Sequence, residues 1–371
     1  MGPERAAATP AASAAVRDGL TFRLRSRLAE RGSTSETGIA CITVLLTYRC
    51  PAACAHCVFE CDNTRTATVD GEVARRLIEA ASRQSPPPAL SFSGGEPFLQ
   101  RAMLSELMAF GKARGMESEV VTSCAWIRDR ARARKVLADL ARRGLSTFCA
   151  SYDRFHAAFI PAARVRAGVL AALEVGLRVV LNTIVAGGGG EDAAGELSRR
   201  LDLSREVVDR CFVNRLATVP AGRARTEVRD YRYREAPPAG GCAFSTQVVT
   251  LSPYGLLYPC CGSVVGEAPE AAGLFVHDEI AGKSVDEIAG LLETLRRDLF
   301  FRLLESVGPW GLLRELRRRN PRLPLRGRYT GPCDACLELT RHPAVAAAMQ
   351  ELLTEYEARL NGAVEPGPHY P

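Results

Sequence analysis

The chain has 371 residues, 47% hydrophobic and 24% charged, with a formal net charge of +6 and 13 cysteines. No apolar run approaches the ~18–20 residues that cross a bilayer and no charged-then-apolar signal opens the chain, so the sequence excludes a membrane span or a secretory route and places the protein in the cytosol. The basic residues are spread along amphipathic stretches at 128–143 and 312–319, not gathered beside exposed aromatics, so they read as solvated faces and no nucleic-acid partner is expected.

Residues 1–36, rich in Ala, Arg and Ser, read as a flexible N-terminal arm with one short helix near 22–31. From residue 41 short β-rich runs alternate with helical ones. Strands are expected at 41–47, 89–93, 118–123, 146–151, 177–185 and 208–216. Between them, apolar positions recurring at three and four predict helices at 71–85, 99–114, 127–143, 165–175 and 192–201, with a flexible glycine loop at 187–190. Strands alternating with helices imply an α/β fold with a parallel sheet, either a partial barrel or a doubly wound sheet, and in both the functional side chains gather at the C-terminal strand ends. After residue 221 the organisation changes: a turn-rich stretch at 231–241, a hairpin pattern at 243–258 around Pro253-Tyr254-Gly255, helix over 285–319 and a last helix at 344–360. The expected organisation is an arm (1–36), an α/β core (37–225) and a cysteine-rich C-terminal unit (226–371).

Clustered cysteines in a reducing compartment point to metal, cluster or redox roles. The run TYRCPAACAHCVFEC puts Cys50, Cys54, Cys57 and Cys61 in the loop after the first strand. The first three form CxxxCxxC, which satisfies three corners of a four-iron cube and leaves the fourth open; zinc, with Cys61 or His56 as fourth ligand, is the alternative. In SFSGGEPFLQ the second strand ends on Gly94-Gly95-Glu96-Pro97, where glycine backbone and a carboxylate can approach the amino group of a ligand, or simply form a tight turn.

The RCPAACAHC loop after strand one, joined to GGEP after strand two, resembles the core of the radical S-adenosylmethionine enzymes over roughly residues 41–217. The resemblance implies a partial (β/α)6 TIM-like barrel. It also implies that Cys50, Cys54 and Cys57 ligate a [4Fe–4S] cluster whose open iron is chelated by S-adenosylmethionine. Reductive cleavage then gives methionine and a 5′-deoxyadenosyl radical, which abstracts a substrate hydrogen. Cys61 is then a loop cysteine, and His56 a packing residue. Gly94, Gly95, Glu96 and Pro97 would bind the cofactor. Ser151 and Asp153 in CASYDRFH resemble residues that reach its carboxylate, and Asn182 one that reaches its ribose. Thr122-Ser123-Cys124 stands where many members have Thr-Asn-Gly, a departure at that strand.

Cys242 and Cys260, separated by seventeen residues, precede a CxxC at Cys333 and Cys336. Two such knuckles can place four thiolates around one metal, by default a zinc ribbon. Beside the upstream core, the segment is similar to the SPASM and Twitch auxiliary-cluster extensions. Pro220–Ala224 (PAGRA) and SPYGLLYPC carry that likeness, and the absence of cysteines after Cys336 implies one auxiliary [4Fe–4S] cluster. Cys261 beside Cys260 leaves that ligand open by one residue.

The expected function is oxidation or crosslinking of a natural-product substrate, a ribosomally made peptide or a small molecule, with an electron donor such as flavodoxin or ferredoxin. The alternatives are an epimerase or dehydrogenase acting on a peptide or aminocyclitol, and a non-catalytic zinc scaffold. An epimerase needs a hydrogen-donating thiol, for which Cys124, Cys149, Cys211 and Cys261 are candidates. Arg215 and Arg223, near strand ends, are candidates for holding substrate.

Overall fold

The computed structural model describes residues 38–185, 192–235, 240–242, 244–266 and 273–360. The expected arm with its helix and the 187–190 loop lie outside these residues. β1 (Cys41–Thr47), β2 (Ala89–Gly94), β3 (Ser118–Thr122), β4 (Leu145–Ser151), β5 (Arg178–Val185) and β6 (Phe212–Ala217) pair in parallel in chain order. Crossover helices α1 (Gly71–Ser82), α2 (Arg101–Lys112), α3 (Arg130–Arg142), α4 (Ala162–Val175) and α5 (Ala193–Leu201) connect them. This is the partial barrel: parallel strands with helices outside.

The sixth strand differs from expectation. Val207 and Val208 look β-forming, but Ser204 caps a short helix, α6 (Arg205–Asp209), by accepting from the Val207 N–H, and β6 starts only at Phe212. The chain then makes one helical turn, α7 (Ala224–Glu227).

The sheet does not stop at residue 225. β7 (Val248–Leu251) pairs in parallel with β1, and β8 (Leu256–Tyr258) and β9 (Asp278–Glu279) follow antiparallel, giving the order β6-β5-β4-β3-β2-β1-β7-β8-β9. The expected hairpin is the β7–β8 pair. The helix expected at 285–319 is two: α8 (Val285–Leu295), opened by a Ser284/Glu287 capping box, and α9 (Leu299–Arg319), capped by Asp298 and kinked where Gly308 takes φ 69° before Pro309. α10 (Pro332–Arg341) carries CxxC, and α11 (Pro343–Leu360) packs on it. No helix among the described residues is long and apolar enough to cross a membrane.

Strand residues alternate between faces. Ile42, Val44, Leu90, Phe92, Val120, Phe148 and Leu181 are fully buried on the helix side. The opposite, concave face carries Thr43, Ser91, Glu119, Thr147 and Arg178 in one row of register. The interior of a filled barrel is dominated by branched apolar residues. A buried polar row instead marks a barrel built to hold something other than itself.

Candidate metal centre and cofactor site

The loop after β1 is closed at its neck, where Tyr48 N–H donates to Ala67 O (2.9 Å) and Cys50 N–H to Asp62 O (2.8 Å). Its cysteines are free thiols. Burial pushes the Cys50 thiol up to about 12 and the Cys54 thiol well up, and in each case the neighbouring thiols add to the rise. Cys57 goes the other way, its sulfur stabilised first by the Cys61 thiol and also by the Cys61 N–H at 3.4 Å. Three sulfurs thus lie in one another's field, and Cys61 stands behind Cys57 as a donor. Soft iron or zinc would displace the protons that burial keeps on Cys50 and Cys54. The donor set therefore fits a cluster held by three thiolates.

The Gly-Gly-Glu-Pro turn is pressed against this loop. Gly95 N–H donates to Thr47 O (2.6 Å) and Glu96 N–H to Arg49 O (2.9 Å). A Cβ on Gly95 would lie 2.2 Å from Arg49 O, so only glycine permits the approach. The Glu96 side chain is 1% exposed and burial raises its pKa. Its carboxylate accepts from Thr122 Oγ1 (2.8 Å), Ser123 Oγ (2.6 Å), Ser123 N–H (3.1 Å) and Phe98 N–H (3.2 Å). It thus ties the turn to the end of β3. Cys124, where the family pattern has glycine, holds φ 65°, the left-handed region that glycine favours.

Asp153 is committed to its own turn: Oδ1 accepts from Phe155 N–H (2.9 Å) and His156 N–H (3.0 Å), and Oδ2 from Ile184 N–H (3.2 Å). The same Oδ1 lies 3.0 Å from His156 Nδ1. Ser151 and Asn182 are register partners on the concave face, and Asn182 Oδ1 accepts from Asn214 Nδ2 (2.8 Å). His56 packs against Phe155 and His156, with ring centroids 5.0 and 4.9 Å away. Burial pushes it down to about 4, so it is neutral. Cys54 Sγ and ring nitrogens of His56 and His156 all lie within 4.8 Å of one another, a donor grouping the spacing of the sequence did not reveal because His156 comes from the turn after β4.

The second cysteine set also converges. Burial raises the Cys260 thiol, and the neighbouring thiols of Cys261, Cys242, Cys333 and Cys336 add to the rise; burial likewise pushes Cys261 up to about 12. Gly262 N–H donates to Cys260 Sγ (3.0 Å), and a Cβ on Gly262 would meet Cys260 Sγ at 3.1 Å and Cys333 Sγ at 3.3 Å. Backbone N–H groups of Ser263, and of Phe244 and Ser245, favour the thiolates of Cys333 and Cys242. Four largely enclosed cysteines, Cys336 buried and Cys242, Cys260 and Cys333 half-buried, with amide donors beside them suit one closed four-thiolate centre.

The remaining cysteines separate by face. Cys124 Sγ faces Gly168 of α4, and Cys211 Sγ lies 3.3 Å from Val207 O of α6. Cys149 is on the concave face, 3.7 Å from the Glu119 carboxylate, which also accepts from Ser91 Oγ (2.7 Å). Burial raises the Glu119 pKa. Sequence reasoning passed over Glu119; its signal was a charged residue inside the otherwise apolar strand pattern SEVVT. Of the two arginines, Arg215 is exposed, and Arg223 grips the cysteine loop.

Residues 44–199 match the model of the Radical SAM superfamily. That stretch is therefore similar to a radical SAM domain, and members of this superfamily bind a [4Fe–4S] cluster and S-adenosylmethionine. Among individual relatives, the "Putative peptide biosynthesis protein YydG" of Bacillus subtilis (strain 168) is 26% identical over 125 residues, 34% of this chain and 39% of that protein. The match thus spans about two fifths of the relative's length. The fold is shared with native anSMEcpe with bound AdoMet and Cp18Cys peptide (TM-score 0.50, 11% identity, 87% of this chain and 100% of that one). A further similar structure is BtrN in complex with AdoMet and 2-DOIA (TM-score 0.41, 13% identity, 74% and 90% covered).

Proposed function

We propose that this chain is a radical S-adenosylmethionine enzyme that takes a hydrogen atom from a peptide and thereby oxidises or crosslinks it. The observation that carries the proposal is the set of three thiols, Cys50 and Cys54 buried and Cys57 half-buried, with the Gly95–Glu96 turn hydrogen-bonded against their loop. In this proposal those thiols hold the [4Fe–4S] cluster, while Gly94, Gly95, Glu96, Pro97, Ser151 and Asn182 shape the cofactor pocket and Asp153 fixes the turn beside it. Cys242, Cys260, Cys333 and Cys336 hold one auxiliary cluster. When bound, cluster and S-adenosylmethionine supply a 5′-deoxyadenosyl radical, using an electron from a flavodoxin- or ferredoxin-type donor. The chain's own part is to enclose the substrate against the polar concave face, exclude water, and offer the Glu119 carboxyl as a hydrogen-bond partner.

The role in peptide biosynthesis that the Bacillus relative's name carries supports a peptide substrate. A second reading, epimerisation, is favoured by Cys149 standing on the concave face beside Glu119. The test is anaerobic reconstitution, iron counting and a dithionite-driven assay for 5′-deoxyadenosine on wild type and Cys50/Cys54/Cys57→Ala. About eight irons falling to about four, with 5′-deoxyadenosine lost, supports the proposal; stoichiometric zinc, or a loaded wild type that leaves the cofactor intact, sinks it. With substrate, deuterium uptake from solvent without net oxidation would select epimerisation.

A further inference from the structure

The Pro220–Ala224 run that leaves β6 lies against the cysteine loop, far from it in sequence. Gly222 takes φ 50°, and a Cβ there would stand 2.4 Å from Val58 O and 2.7 Å from Cys57 O. The next residue, Arg223, donates its backbone N–H to Cys57 O (3.1 Å). Its guanidinium forks: Nη1 donates to Cys54 O (3.1 Å), and Nη2 to Cys61 O (3.1 Å) and Asp62 Oδ2 (3.4 Å). One residue thus holds three carbonyls along the loop that carries the three thiols. Its side chain is only 13% exposed, so its charge is screened weakly by solvent.

The clamp also reaches the other cysteine set. Arg341, at the end of the helix that carries Cys333 and Cys336, donates from Nη2 to Pro220 O (2.5 Å). Gly266, six residues after Cys260, sits where a Cβ would be 2.2 Å from Val58 O. The C-terminal unit therefore touches the loop through the same segment that Arg223 anchors.

We propose that Arg223 is a positioning residue: it fixes the loop that presents Cys50, Cys54 and Cys57, and its buried charge raises the reduction potential of the cluster they hold. This rests on the cluster assignment proposed above. Reduction adds negative charge to the cluster, so a cation fixed beside it favours the reduced form, and cluster charge and local hydrogen bonding are what set such potentials. A planar fork on a backbone is an arginine function that lysine does not reproduce, whereas the charge is common to both. Arg223 thus holds the loop and is not available to hold substrate.

The experiment compares wild type, Arg223→Gln and Arg223→Lys after anaerobic reconstitution. Two quantities are read: the potential at which the S-adenosylmethionine-responsive electron paramagnetic resonance signal appears, and the rate of iron loss to a ferrous chelator. In Arg223→Gln the signal is expected at more negative potential and iron is lost about 10-fold faster, the scale for removing an outer support of a metal ligand. Arg223→Lys is expected to keep a near wild-type potential while losing iron faster. If Arg223→Gln fails to fold or load, the lysine variant decides alone: faster iron loss at unchanged potential supports the clamp, and wild-type iron loss overturns it. Wild-type potential and wild-type iron loss in a loaded Arg223→Gln also overturn it. A wild type whose signals ignore S-adenosylmethionine would instead sink the cluster assignment itself.

Discussion

The backbone N–H of Cys61 points at the sulfur of Cys57 across 3.4 Å. A cysteine that could be mistaken for a fourth ligand is therefore arranged as a donor to the third. Cys61→Ala is expected to retain full iron loading and the S-adenosylmethionine-responsive signal, whereas Cys57→Ala loses about four irons per chain. Iron and sulfide counts on both variants check this, and equal losses would place Cys61 among the ligands.

Gly95→Ala drives a methyl into Arg49 O. Backbone does not yield as a side-chain tip does, so the turn must lift from the loop at a cost of about 1–3 kcal/mol. The expected outcome is weakened S-adenosylmethionine binding with near-normal iron content, measured by calorimetric titration of reconstituted protein.

Glu119 is buried on the concave face and its folded pKa is raised, so its folded state holds a proton that the unfolded chain releases. Its contribution to stability is full below the unfolded carboxylate value, about 4.3, and is lost as pH rises through the folded value. Glu119→Gln removes that dependence. Relative to wild type, the variant should gain stability as pH rises from 4 towards neutrality, by about 1.4 kcal/mol for every pH unit separating the folded from the unfolded value. Melting curves across that range test it; parallel curves would mean the carboxyl ionises as freely inside as out. In turnover, the same variant should load iron normally and process substrate poorly.

Asp334, between Cys333 and Cys336, is fully buried and accepts from Arg326 Nη2 (2.8 Å) and Thr330 N–H (2.9 Å). Asp334→Ala leaves the buried Thr330 N–H without its acceptor while the Arg326 guanidinium, 36% exposed, keeps Glu338, and the expected loss is about 1–3 kcal/mol. Asp334→Asn, which still accepts, should lose less. Chemical denaturation ranks the three proteins.

The first five strands are legible from alternation and β-branched runs, and the structure moves their ends by no more than a residue. β6 is not, because Val207-Val208 carries strand propensity that the Ser204 cap overrides, a local hydrogen bond outweighing side-chain preference. The loop holding Cys50, Cys54 and Cys57 is legible because its ligand spacing is local. Contacts that depend on distant segments are silent in the sequence: Arg223 reaches Cys54 across 169 positions, and His156 approaches His56 only once β4 is built. The C-terminal unit reads as distinct by composition, a property that carries no information about β7 joining β1.

That junction has a metric consequence. β1 is seven residues long, about 20 Å at ~3.3 Å per residue, with Cys41 at one end and the loop of Cys50, Cys54 and Cys57 beyond the other. β7 pairs with β1 from Cys41↔Val248 to Val44↔Leu251, and β8 returns antiparallel along it to Tyr258, two residues before Cys260. The point where the second cysteine set leaves the sheet is thus ruled by a hydrogen-bonded ladder and not by a pliable linker. A one-residue slip of β7 would swing its polar and apolar faces over, so that point can be moved only in whole steps of the pleat.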